Sequence, residues 1–216
     1  MATATKNKRD NNEPPEGPME QRFGIEIPYS ITLYLRGVRP FLFNRMDIEA
    51  YDAEEGPGGK RKPRARPEYE TMVWRDENGQ LALPVENVIG SISSAGKYFK
   101  SPISSSGSAT PTLREALVPN AEYASFGVDG WDTVDFRLAR YGDMKRTPKP
   151  TYRPRLEIGW LLTVPLSIVT PELYGPLRLL EITTKAGSVM GVGDGRKIGL
   201  GRYVLDHYEI EEGLPW

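Results

Sequence analysis

The chain has no cysteine and a single histidine, His207. Without thiols there is no disulfide framework, no thiolate nucleophile and no cysteine-held metal centre. One imidazole cannot supply a two-histidine metal motif, and the dispersed carboxylates Asp129, Asp132, Asp135 and Asp143 lack calcium-loop spacing. No metal and no cofactor is therefore expected. No apolar run approaches the ~18 residues of a membrane helix, and the N-terminus lacks the apolar stretch of a secretory signal. The expectation is a cytoplasmic protein with no membrane partner. Charge of one sign is also missing. Lys and Arg number 28 against 29 Asp and Glu, a formal net charge of −1, so any affinity for a polyanion has to come from local clusters.

Glycine and proline are abundant instead, 22 and 19 in 216 residues, which implies one domain with long irregular connections. Residues 1–24 are polar and Pro-rich and read as a disordered tail, leaving 25–216 as the domain. Ile31–Arg36 alternates, with Ile31, Leu33 and Leu35 on one face and Thr32, Tyr34 and Arg36 on the other, as in a half-buried strand. Phe41–Phe43, flanked by Arg39 and Arg45, reads as an apolar loop that packs on the core, a partner or a base. Lys60, Arg61, Lys62, Arg64 and Arg66 form a basic, Gly/Pro-rich arm, and Lys145, Arg146, Lys149 and Arg153 a second basic loop over 141–154. Asn78-Gly79 marks a hairpin within 69–83. Val85, Val88, Ile89, Ile92, Gly96 and Phe99 give a helical stripe over 84–100.

Beyond a Ser-rich loop at 101–112, short strands are expected at 114–118 and 134–140, with Trp131 and Phe136 buried. Arg155–Val164 reads as one strand burying Leu156, Ile158, Trp160, Leu162 and Val164. Thr170-Pro171 reads as a helix start, Leu173, Leu177 and Leu180 as its apolar stripe and Gly187 as its cap. A strand over 202–210 closes the pattern. The element order is β-α-β-β-α-β, which points to an α+β fold of ferredoxin-like, RRM-like layout: an antiparallel sheet, helices on one face, and insertions at about 38–83 and 101–154.

The densest signal is Gly191-Val-Gly193-Asp-Gly195-Arg196-Lys197-Ile-Gly199-Leu-Gly201-Arg202. Gly-rich backbone can approach a phosphate chain closely, and successive amides can form an anion nest. A dinucleotide site needs strand, loop, helix; here the order is helix, loop, strand, which excludes it. The segment resembles the C-terminal glycine-rich loop of the RAMP superfamily, the RNA-binding proteins of CRISPR effector complexes. Leu83-Pro84-Val85-Glu86-Asn87-Val88-Ile89-Gly90 is similar to the Pro-led helix start of the same superfamily, with Val85-Glu86-Asn87 replacing its Gly-Ser-Ser and Ile89 its Lys.

The resemblance spans roughly 28–211 and is strongest to the repeating backbone subunit. It implies single-stranded guide or target RNA, and copies of itself or other effector subunits, as partners. The implied phosphate contacts are Gly191, Gly193, Gly195, Gly199, Arg196, Lys197 and Arg202, with Lys60–Arg66 as a thumb-like insertion. Arg36, Arg39, Arg45, Lys145 and Arg146 add charge, and Tyr34 or Tyr203 would stack on bases. Two alternatives stay open: a single-stranded DNA binder, cellular or virus-encoded, and a metal-independent ribonuclease using Asp47 or His207.

Overall fold

The computed structural model describes residues 27–45, 69–139 and 149–215. Asp47, Lys60, Arg61, Lys62, Arg64, Arg66, Lys145, Arg146 and the tail expected over 1–24 lie outside them. The alternation at Ile31–Arg36 becomes strand β1 (Tyr29–Gly37), followed by β2 (Phe41–Leu42). After a 3-10 turn at Tyr69–Met72 come β3 (Trp74–Arg75), β4 (Leu81–Pro84) and helix α1 (Val85–Ala95). Helix α2 (Thr110–Ala116) runs into β5 (Leu117–Pro119), and β6 (Tyr123–Ser125) follows. Strands β7 (Thr133–Ala139) and β8 (Lys149–Leu156) form a hairpin. Then come β9 (Leu161–Ile168), helix α3 (Pro176–Val189) and β10 (Tyr203–Glu212).

Among the described residues the ladders between these strands are all antiparallel, with one isolated parallel bridge between Tyr29 and Gly213. The main sheet runs β10-β1-β9-β6-β4-β3, with β5 also on β9; a small sheet runs β2-β8-β7. The period-2 pattern of β1 decides what sits under the helices. Tyr29, Ile31, Leu33 and Leu35 are fully buried, joined by Leu162, Val164, Leu166 and Ile168 of β9. Val85, Val88 and Ile92 of α1 and Leu179, Ile182 and Ala186 of α3 cover them, and the two helices pack on each other. Each such side chain contributes roughly 1.5–3 kcal/mol by leaving water. No helix among the described residues is long and apolar enough to cross a membrane.

Several expectations are corrected. Arg155–Val164 is not one strand: the chain turns at Ile158-Gly159, where Gly159 has φ +99°, and passes from the small sheet to the main one. Leu156, Trp160, Leu162 and Val164 are buried as expected, while Ile158 sits on the turn, 61 % exposed. Residues 110–116 are helical because Pro111 occupies the first turn, so the strand expected at 114–118 shrinks to β5. Helix α3 starts at Pro176, since Thr170-Pro171 opens only a turn closed by the Leu173 and Tyr174 amides on the Thr170 carbonyl. Its buried stripe is Leu179, Ile182, Thr183 and Ala186, leaving Leu177 exposed. Gly187 lies inside that helix, where a Cβ would strike Tyr203. Of the outcomes expected for Phe41–Phe43 the core is the one met, with Phe41 edge-on to Phe43, Phe126 and Trp160. Phe136 points outward from the hairpin against Tyr152, and Trp131 is only half-buried.

Candidate nucleic-acid interface

The helix, loop, strand order of the glycine segment is present: α3 ends at Val189 and the loop feeds β10. All five glycines have positive φ, from +65° at Gly201 to +85° at Gly199. At Gly193 a Cβ would meet the Phe41 ring and the Leu42 carbonyl; at Gly201 it would fall on the Val192 carbonyl oxygen. Only glycine combines that backbone with that closeness.

Four of the five glycine amides are donated within the protein: Gly191 to Ala186 O, Gly195 to Asp194 Oδ1, Gly199 to Arg196 O and Gly201 to Pro40 O. Loop and core also exchange Val192 N to Gly201 O and Asp194 N to Leu42 O. The Gly201 and Asp194 amides hold the loop on the segment after β1 and the others are used within the loop or on α3, so its side chains are what it offers outward.

Arg196 and Lys197 are exposed on a single 3-10 turn (Arg196–Ile198) between left-handed Gly195 and Gly199. Arg202 is half-buried behind them, with Nη2 3.4 Å from the Arg196 carbonyl. The Val38 and Arg39 amides donate to the Arg202 carbonyl at 2.8 and 3.3 Å, and Trp160 Nε1 donates to the Arg39 carbonyl, bringing exposed Arg39 to the same end of the sheet. Among the described residues, none of Arg39, Arg196, Lys197 and Arg202 has a carboxylate ion partner. Arg45 lies apart, with its backbone on Met72 and its guanidinium toward the Val73 carbonyl.

A link that the sequence reading missed anchors this loop. Arg153 belongs to β8 rather than to a basic loop. It is 9 % exposed, and its Nε lies 2.8 Å from Asp194 Oδ2. Its cross-strand neighbour Asp135 is buried between Arg137 at 2.7 Å and Arg155 at 3.6 Å. The only sequence signal was an Asp inside an otherwise basic loop.

The open face of β1 carries Tyr34 and Arg36 as expected, but both are engaged. Tyr34 stacks on His207, rings 3.9 Å apart and 9° from parallel, and donates to Glu209 at 3.1 Å. A bulge between Tyr34 and Leu35 leaves Asp206 unpaired on β10. There it accepts from Arg36 Nε at 3.1 Å and lies 3.2 Å from His207 Nδ1. The Arg36 and His207 contacts hold its carboxyl below the ordinary value of 3.8. With Glu209 and Glu211 alongside, this edge is acidic. Tyr203, 1 % exposed, is core and cannot stack on a base.

No family model and no curated protein matches the chain. Solved structures do. A chain of the type III-B Cmr-beta assembly, determined bound to cognate target RNA, aligns over 86 % of this chain with 10 % identity and a TM-score of 0.55. The fold is shared with that chain. The alignment spans 61 % of that Cmr-beta chain's length. Cmr6 from Pyrococcus furiosus aligns over 83 % of this chain and 98 % of its own, with 11 % identity and a TM-score of 0.44.

Proposed function

We propose that the chain is an RNA-binding subunit of a CRISPR-type ribonucleoprotein that holds single-stranded guide or target RNA by its phosphates. The observation that carries this reading is the convergence of Arg39, Arg196, Lys197 and Arg202 on one rigid end of the sheet. No carboxylate among the described residues neutralises them. Cations fixed on a core-anchored loop lose little entropy when a phosphate arrives, and counterion release adds affinity without reading sequence. We read the order β10-β1-β9-β5/β6, with α1 and α3 on one face, as the ferredoxin-like arrangement. The basic arm Lys60–Arg66 and Lys145-Arg146 join the interface in this proposal, and other effector subunits or further copies complete the groove.

The test is fluorescence anisotropy with a labelled single-stranded RNA and a DNA of the same sequence. Arg196→Glu/Lys197→Glu should weaken RNA binding by about tenfold or more, through loss of charge-assisted contacts. Unchanged affinity would remove the loop from the interface. Equal competition by DNA would turn the reading to a general single-strand binder, since the 2′-OH is what distinguishes RNA. RNA cleavage that disappears in His207→Ala would replace it with a nuclease.

A further inference from the structure

On the helical side of the sheet, α3 shows a second stripe beyond its core-facing one. Leu177, Leu180, Thr184 and Ser188 follow one another at helical spacing. With Phe99 from the segment after α1 they line an open groove of about 560 Å³. Leu177 is 50 % exposed and Phe99 and Leu180 are only partly covered, so the floor is apolar and wet. The rim is cationic. Arg178 stacks its guanidinium 4.7 Å from the Phe99 ring centre. Lys97 and Lys185 each place an ammonium 5.0 Å from the centre of the Tyr98 ring, which is 52 % exposed. Lys100 is exposed beside them. The one carboxylate lining the groove, Glu181, is paired with Arg178 at 3.2 Å. Among the described residues neither Lys97 nor Lys185 has a carboxylate partner. Two like charges held against one ring repel each other, and an incoming carboxylate would relieve both.

We propose that this groove is a docking site for an acidic amphipathic helix of a partner protein. The charge rim selects carboxylates. The Leu177–Ser188 stripe, 11 steps of about 1.5 Å or roughly 16 Å, offers a partner helix about three turns of track, apolar at Leu177, Leu180 and Phe99 and small and polar at Thr184 and Ser188. A nucleic acid would find cations here but no counterpart for the leucine floor. The inference does not rest on the RNA reading, whose cations Arg39, Arg196, Lys197 and Arg202 are not among the residues lining the groove.

The probe is a labelled synthetic amphipathic peptide with Leu at i, i+3, i+4, i+7 and Glu on the flanks, compared with its Gln-for-Glu version. The Glu peptide should bind the full chain at least tenfold more tightly than the Gln peptide. Lys97→Gln/Lys185→Gln should abolish that difference, and Leu177→Asp should weaken the Glu peptide at least fivefold. Arg196→Glu/Lys197→Glu should leave it unaffected. Failure of the Glu peptide to bind, equal binding of both peptides, or indifference to the lysine and leucine substitutions would overturn the proposal. So would an oligouridine that competes at this site and is weakened by Lys97→Gln/Lys185→Gln, because the surface would then be a nucleic-acid surface.

Discussion

Gly201 and Gly199 are two residues apart in one loop, yet a methyl group means different things at each. At Gly201 an added Cβ overlaps the Val192 carbonyl and the φ of +65° is unfavourable; at Gly199 φ is +85° but the space is open. Gly201→Ala should therefore cost about 3 kcal/mol, strain and overpacking together, and Gly199→Ala about 1 kcal/mol. Paired thermal melts give the comparison, and equal shifts would contradict the packing argument. A second residue-scale expectation concerns Asp206. Its carboxyl is depressed in the folded state, so its stabilising contribution is present above the ordinary value of 3.8 and is lost as pH falls through the folded value. Arg36→Gln removes the largest cause, and a carboxyl NMR titration should then show Asp206 titrating at higher pH.

Among elements, the β7/β8 hairpin and the glycine loop are coupled by Arg153 and Asp194, whose side chains are 11 % and 32 % exposed. Breaking a fully buried pair costs roughly 3–5 kcal/mol. Asp194 keeps partial access to water, so Asp194→Asn should cost about 2–3 kcal/mol. A double-mutant cycle with Arg153→Met by chemical denaturation should show the double variant losing less than the sum of the singles. Additive losses would mean that hairpin and loop are held independently. Elements also show where periodicity misleads. Leu156, Trp160, Leu162 and Val164 lie on buried faces, but the alternation runs through a turn at Ile158-Gly159. Likewise Leu173, Leu177 and Leu180 keep helical spacing while the core takes Leu179 and Ile182. A spacing pattern says that a face exists, not which neighbour covers it.

For the molecule as a whole, a formal charge of −1 means that no long-range field gathers RNA. Affinity has to come from local clusters, the loop-end cations and the basic segments proposed to join them, against an acidic β10 edge. The four loop-end cations by themselves give the log–log salt dependence of RNA binding by one copy a slope of about −2 to −3, at about −0.7 for each phosphate neutralised on a single strand, and the basic segments proposed to join them make it steeper. Anisotropy titrations across salt concentrations measure it. A slope near zero would mean that these cations do not touch the backbone.

By itself the sequence determined the half-buried first strand, the Asn78-Gly79 hairpin turn, helix α1, and a helix, glycine loop, strand sequence near the C-terminus. Each follows from local chemistry: period-2 or period-3.6 burial and backbone that only glycine adopts. The tertiary structure alone decided what those elements face. Register across β1 and β10 put His207 on Tyr34, and one bulged residue brought Asp206 to Arg36. The route of Pro40–Phe43 beneath the glycine loop took the Gly201 and Asp194 amides and put Phe41 in the core. These contacts join residues more than a hundred positions apart, and no local preference encodes which distant partner a side chain will meet.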